Sequence, residues 1–294
     1  MKALLGMVAS PRKNGNSELF LKELYSNLPK DDWRLRLIRL PELNIQPCLA
    51  CYQCLFGEMK CVQKDDLQLL LDSLMSADAV VLAAPTYLLG ANASLKRFLD
   101  RGLSFYAHID KLWGKPAVGV AIAGVPGMEG YTKLMVDSFL KLIFTDHRGS
   151  EVIYGALPGE IFLDGDGRAA ASRLAKALCD KGFETVGGSL RCPVCGGDTF
   201  RFLSGKNPQA GSAAELRCMV CSSAGTLNAS DGRFEVKTRK GEHLFFLTRE
   251  DAKHHLGWLR GMKDAFLDLR KELKAVSQPY AGIGEWVQSK ERSR

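Results

Sequence analysis

Lys2-Ala3-Leu4-Leu5-Gly6-Met7-Val8-Ala9 runs straight into Ser10-Pro11-Arg12-Lys13-Asn14-Gly15-Asn16-Ser17, and a helical stretch follows from near Glu18. A short apolar run that empties into a Ser/Asn/Gly-rich loop ahead of an amphipathic helix is the opening βα unit of a parallel sheet. Such a loop offers backbone N–H groups, hydroxyls and the positive end of a helix dipole to a phosphate. It is neither G-x-x-x-x-G-K-[ST] nor G-x-G-x-x-G, which argues against ATP or a dinucleotide and toward a mononucleotide phosphate. Taken alone, the segment also reads as a turn with an N-cap at Asn16 or Ser17.

Working outward, the same pattern repeats. Further apolar runs lie at Arg34 to Leu40, Ala79 to Ala84, Ala117 to Ala123 and Val152 to Ala156. Amphipathic stretches lie near Ser17 to Asn27, Asp65 to Met75, Ser94 to Phe105, Tyr131 to Phe144 and Arg168 to Lys181. Five strands alternating with five helices predict an α/β fold, an open, doubly wound five-stranded parallel sheet of the flavodoxin type, with its ligand beyond the carboxyl ends of the strands.

Between the second strand and the next helix stand Cys48-x2-Cys51-x2-Cys54-x6-Cys61. Thiolates three residues apart can turn inward from one loop, and a fourth further on can close the cage of an iron–sulfur cubane. A zinc site or four reduced thiols are the other readings. The helix entry Lys64-Asp65-Asp66 offers Asp65 or Asp66 as a cap.

After the third strand come Ala84-Pro85-Thr86-Tyr87-Leu88-Leu89-Gly90 and then Ser94-Leu95-Lys96-Arg97-Phe98-Leu99-Asp100-Arg101. With the Ser10 loop, this combination resembles the NAD(P)H-dependent FMN reductase family, whose members carry S-P-R-x-x-x-x-S, P-x-Y and L-K-x-F-L-D-R. With the cysteine loop added, it resembles the family's iron–sulfur flavoproteins. The likeness covers residues 1 to about 185, and Leu88 stands where relatives often carry an aromatic residue. The resemblance implies that Ser10, Arg12, Asn16 and Ser17 hold an FMN phosphate. Pro85, Thr86, Tyr87 and Leu88 would then line the isoalloxazine edge, and the loop Gly124 to Gly130 would form a third wall. It also implies a homo-oligomer, dimer or tetramer. Lys96, Asp100 and Arg101 read as a bracing charged network or a subunit contact, and His108 and His147 as solvent-facing or packing residues. No Ser/His/Asp or Cys/His arrangement is readable, so no protein group is assigned as catalytic.

A second quartet, Cys192-Pro193-Val194-Cys195-Gly196 and Cys218-Met219-Val220-Cys221, has 22 residues between its pairs. Two C-x2-C knuckles with alternating segments at Phe200 to Leu203, Glu215 to Arg217, Thr226 to Leu227 and Phe234 to Lys237 predict a zinc ribbon. Rubredoxin-like iron is the competing reading, although the second knuckle ends in Cys221-Ser222-Ser223, without a glycine. Beyond it, Leu256, Leu259, Met262, Phe266, Leu269, Leu273 and Val276 form an apolar stripe on a helix from near Arg249, with Thr248 and Asp251 set as a capping box. The stripe is expected to pack on the parent fold or on a second subunit. The expected domains are thus 1–188 for the flavodoxin-like FMN-binding unit, 189–245 for the ribbon and 246–294 for the helix and tail.

The chain has 294 residues, 46% of them hydrophobic and 25% charged, and a net charge of +7. Residues 1–188 hold 22 basic and 21 acidic residues and 189–294 hold 18 and 12, so the excess sits in the last third. No apolar run reaches membrane-spanning length, which argues against a membrane role and, with nine cysteines, for the cytoplasm, where thiols stay reduced. Eight of the nine fall in the two quartets, leaving Cys179. The first reading is an FMN-dependent oxidoreductase or electron carrier with a [4Fe–4S] cluster and a zinc ribbon, exchanging electrons with a protein or small molecule, NAD(P)H being one candidate donor. A cluster-free NAD(P)H-dependent FMN or quinone reductase is the second reading. A binding module whose ribbon and basic C-terminal third contact nucleic acid or a protein partner is the third, although a basic excess of this size more often reads as a solvated face, which argues against nucleic acid.

Overall fold

The computed structural model describes residues 1–182, 190–203, 214–227, 233–236, 246–281 and 283. The expected boundaries at 188/189 and 245/246 lie outside the described residues. Strands β1 (Lys2–Val8), β2 (Trp33–Arg39), β3 (Ala79–Tyr87), β5 (Pro116–Ala123) and β6 (Asp146–Tyr154) pair in parallel in the order β2-β1-β3-β5-β6, and the two-residue β4 (Gly90–Ala91) folds back antiparallel on the end of β3. The order reverses direction at β1, so the crevice expected of an open sheet lies between the loops leaving β1 and β3.

Helices α1 (Asn16–Ser26) and α7 (Asp166–Cys179) cover one face, where Phe20, Leu21, Leu24, Leu174 and Leu178 pack on Leu4, Val81 and Val118. The opposite face is covered by α2 (Leu67–Met75), α3 (Ala93–Leu99), α4 (Leu103–Tyr106), α5 (Ile109–Leu112) and α6 (Thr132–Leu142), whose Leu70, Leu74, Phe98, Phe105, Phe139 and Leu140 meet Leu5, Met7, Val80 and Leu82. Each such side chain contributes about 1.5–3 kcal/mol by leaving water. The near-continuous Val/Ile/Leu/Ala runs of β1, β3 and β5 follow from this, because both faces of those strands are covered.

A four-stranded antiparallel sheet, β7 (Phe200–Phe202), β8 (Ala214–Cys218), β9 (Ala224–Leu227) and β10 (Phe234–Val236), runs in the order β10-β9-β8-β7. Helix α8 (Arg249–Ser277) follows. It opens on the expected capping box, in which Thr248 Oγ1 accepts the Asp251 N–H and Asp251 accepts the Thr248 N–H. Cys192, Leu216 and Phe234 of the ribbon and Ala252 and Leu259 of α8 join the core on the α2–α6 side of the large sheet. The stripe on α8 divides there. Leu259 is buried, whereas Met262, Phe266, Leu269, Leu273 and Val276 are exposed.

Three local expectations are corrected. The fifth strand starts at Asp146, six residues early, because an edge strand tolerates the polar run Asp146 to Glu151. The stretch Ser94 to Phe105 is two helices, since the Arg101 N–H binds Phe98 O and the Gly102 N–H binds Leu99 O, tightening and ending the first. At α1 the N-cap is Gly15, not Asn16 or Ser17, and no side chain caps it.

Glu18, in the first turn of α1, instead braces the preceding loop. Its carboxylate pairs with Lys22 and Arg39, both at 2.6 Å, and accepts the Asn14 N–H at 2.9 Å. Arg39 also donates to Ser10 O and Arg12 O, so one guanidinium from the edge strand pins both ends of the turn. The hydrogen bond from Lys22 leads the contributions that hold the Glu18 carboxyl down at about 2, against 4.5 ordinarily. Glu18→Gln is therefore expected to cost about 2 kcal/mol at neutral pH. A depressed carboxyl contributes stability above its unfolded pKa of about 4.5 and loses it as pH falls through about 2. Urea melts of the two proteins should separate at pH 7 and converge across that window.

Candidate functional site

Loops leaving β1, β3, β5 and β6 meet at the carboxyl end of the sheet. In the first, Ser10 and Ser17 are buried, Arg12 is exposed, and Ser10 Oγ accepts the Arg12 N–H at 3.2 Å. Asn16 makes one hydrogen bond from each side of its carboxamide: Nδ2 donates to Gly155 O at 2.8 Å and Oδ1 accepts the Gly159 N–H at 2.7 Å. Its side chain is a strut to the loop after β6, and Arg12, donating to Ala156 O, is a second. A helix start with no capping side chain, at the floor of a braced loop, fits an anion.

The second wall is a hairpin. Thr86 pairs with Ala91 and Tyr87 with Gly90, leaving Leu88 and Leu89 as a two-residue turn with φ of 49° and 65°. Such turns need positive φ at both central residues, which Asn-Gly supplies and Leu-Leu does not, so each leucine carries about 1–2 kcal/mol of strain. The turn is held from outside. The Tyr131 N–H binds Leu89 O at 2.8 Å, and Thr86 Oγ1 donates to Thr132 Oγ1 at 2.9 Å. Gly130, at φ 54°, lies so close to Leu89 that any Cβ would strike its carbonyl. Leu88 is 99% exposed. Strain held by neighbours at a fully exposed apolar side chain marks a site that presents that side chain. Gly124 and the residues to Met128 are exposed along the third wall, where Tyr154 OH donates to Glu129.

Cys48, Cys51, Cys54 and Cys61 line one recess together with Arg101 and Leu103. The loop turns through Ala50, Tyr52, Gly57 and Met59, all at positive φ, which is how so short a segment aims its thiols inward. Burial, then the neighbouring thiolates of Cys61, Cys48 and Cys51, push the Cys54 thiol up to about 11. Four thiolates there need cationic compensation. Part of it is built in. Arg101, with its side chain 2% exposed, donates to Cys61 Sγ at 2.9 Å, to Asp65 at 2.6 Å and to Gln46 O at 2.7 Å. Asp65 also accepts the Gln46 and Leu67 N–H groups. Burial works to raise its carboxyl, but these bonds and Arg101 outweigh it and hold it below the ordinary carboxylate value. The expected three-residue network does not form: Lys96 pairs with Asp100 on the helix, whereas Arg101 braces the cysteine loop through Asp65, and its contact with the thiol was not legible in the sequence. From outside, Arg260 of α8 donates to Leu55 O at 2.9 Å and reaches Met59 Sδ.

The ribbon quartet is gathered differently. Its sulfurs all lie within 4.8 Å of one another, with Cys192 to Cys221 at 3.7 Å and Cys195 to Cys218 at 3.6 Å. Tetrahedral bonds of about 2.3 Å to one ion put sulfurs about 3.8 Å apart, so this cage fits a single metal. Both knuckles turn alike, the Gly196 N–H on Cys192 O and the Ser222 N–H on Cys218 O, with Gly196 at φ 73° and Ser222 at φ 63°. Ser222 therefore fills the left-handed position at which glycine was expected. Lys133 ties this unit to α6, binding Asp137 at 2.8 Å and Asp198 at 2.9 Å. His147 sits beside Asp137 on β6, and burial lowers it to about 4, so it is a neutral packing residue.

Among known proteins, the family model described as NADPH-dependent FMN reductase matches residues 2–147. An iron-sulfur flavoprotein of Archaeoglobus fulgidus is 34% identical over 162 residues, covering 55% of this chain and 72% of the relative. An iron-sulfur flavoprotein of Methanocaldococcus jannaschii is 29% identical over 189 residues, covering 60% and 95%. A solved structure called flavone reductase superposes with a TM-score of 0.70 at 17% identity, over 98% of this chain and 100% of that one, so the fold likeness includes the C-terminal third. No helix among the described residues is long and apolar enough to cross a membrane. With the phosphate-type loop, the hairpin wall and the cysteine recess in place, the chain belongs to the NAD(P)H-dependent FMN reductase and iron–sulfur flavoprotein family and is a flavin-dependent oxidoreductase working in FMN-linked electron transfer.

Proposed function

We propose that this oxidoreductase holds FMN across the loops leaving β1, β3 and β5, a [4Fe–4S] cluster on Cys48, Cys51, Cys54 and Cys61, and zinc on Cys192, Cys195, Cys218 and Cys221. It passes electrons between FMN and the cluster, on to a protein or small-molecule partner. The observation that carries this reading is the recess itself: four cysteines on one wall with a buried guanidinium bonded to one of them. That donor set is too spread for the single-ion cage seen in the ribbon, and among the described residues only the ribbon cysteines gather that tightly. The names of the archaeal relatives support iron and sulfide at the wider set.

In this reading Ser10, Arg12 and Ser17, with the first N–H groups of α1, receive the phosphate, while Asn16 fixes the loop they face. Pro85, Thr86, Tyr87 and Leu88 lie along the ring, and Gly124 permits close approach of the β5 loop. FMN supplies the chemistry of accepting a hydride as an electron pair and releasing the electrons singly. The protein orients the ring, keeps Leu88 against it and holds the cysteine loop at the far end of α3, which starts from the hairpin. NAD(P)H serves as donor, the working form is a homo-oligomer in the cytoplasm, and the ribbon and α8 act as the second and third units beyond residue 188.

Anaerobically purified protein should carry one FMN, four iron, four sulfide and one zinc per chain, with broad absorbance near 400 nm beyond the flavin bands. Cys54→Ser should lose the iron and keep both FMN and zinc. Yellow protein with zinc and no iron would favour the cluster-free reductase. Colourless protein with salt-sensitive nucleic-acid affinity would favour the binding module. Leu88→Asn tests the hairpin separately: relief of one left-handed leucine should raise the stability of the FMN-free protein by about 1 kcal/mol in thermal melts. The same change should weaken FMN binding in a flavin-fluorescence titration.

A further inference from the structure

We propose that Arg101 sets the reduction potential of the centre on the cysteine loop, by placing a buried positive N–H donor on the Cys61 sulfur. The inference rests on the cluster reading above. Its starting point is position. Gln46 precedes the first cysteine and Asp65 follows the last, and the Arg101 guanidinium binds both, closing the base of the loop. Both of those bonds come from Nη1, and the other terminal nitrogen, Nη2, donates to Cys61 Sγ at 2.9 Å.

The backbone fixes that reach. Gly102, directly after Arg101, lies where a Cβ would press on Leu99 O, and Ser104 Oγ donates to Arg101 O at 2.7 Å. The break between α3 and α4 therefore delivers the side chain to the recess. The side chains of Asp65 and Arg101 are 0% and 2% exposed, so water reaches neither charged group directly.

Electrostatics gives the direction. A reduced cluster carries one more negative charge than an oxidised one, and a charged donor on a ligand sulfur stabilises the more negative form. The guanidinium makes reduction easier, and the Asp65 carboxylate behind it works the other way. Cys48 Sγ has a neutral donor by comparison, the Ala50 N–H at 3.4 Å. A residue that merely stapled the loop would leave the potential insensitive to the sign of the charge removed.

Dye-mediated potentiometric titration of the cluster, followed by its optical and EPR signals, reads this directly. Arg101→Gln/Asp65→Asn removes the pair as two amides and should shift the reduction equilibrium about tenfold toward the oxidised form, about 59 mV for one electron. Asp65→Asn alone keeps the guanidinium on sulfur and should leave the equilibrium unchanged or move it toward the reduced form. Should the double variant take up no iron, Arg101→Lys, which keeps the pair with Asp65 and gives up the sulfur, is measured in its place and should shift in the same direction, by less. Wild-type protein without iron would sink the underlying reading. An iron-loaded double variant that matches the wild type, an Asp65→Asn variant that moves toward the oxidised form with it, or a lysine variant that also takes up no iron would sink the assignment of Arg101 alone.

Discussion

Parallel strands can be joined only by crossovers, so every loop that follows a strand of this sheet emerges at the same end. The rest of the molecule depends on that constraint. It brings Ser10 to Ser17, Pro85 to Leu89, Gly124 to Gly130 and Gly155 to Gly159 together although they are spread over 150 residues. The same end receives the cysteine loop, because that loop follows β2, the neighbour of β1. Once the loops are gathered, polar struts fix them: Arg39 across the first turn, Asn16 from the first loop to the last, and Thr132 beneath the hairpin.

The two cysteine quartets show how the same ligand type is set for different metals. In the ribbon, two knuckles face each other across a small sheet, and the sulfurs close to the separation one tetrahedral ion imposes. In the loop, left-handed residues between the thiols aim them around a wider recess, and a buried ion pair stands behind it. Lone buried charges would be costly there. Asp65 and Arg101 tolerate burial because each is paired and the remaining donors and acceptors meet Gln46, Leu67 and Cys61.

Much of this was readable in advance. Strands β1, β3 and β5 fell close to their expected places because a strand covered on both faces must be continuously apolar. The four ribbon strands were marked by alternation, and the Thr248–Asp251 box by its spacing. Misses have local causes. Strand β6 begins in Asp146-His147-Arg148, which an edge can carry and a hydrophobic pattern cannot reveal. The Leu88-Leu89 turn has no turn residues, and only the grip of Tyr131 and Gly130 explains it.

The sequence alone determined the α/β class, the chain order of the Ser10 loop and the Pro85-Thr86-Tyr87 segment, and the division of eight cysteines into two quartets, because each rests on pattern and spacing along the chain. Tertiary structure decided the rest. Asn16 became a strut to the loop after β6, only Leu256 and Leu259 of the seven-residue α8 stripe pack on the core, and Arg101 reached a sulfur 40 positions away. Those facts concern where a side chain ends once helices and loops have packed. Distance in space between residues far apart in the chain is what local pattern does not encode, and it is that distance which turned four spaced cysteines into a recess with a charge behind it.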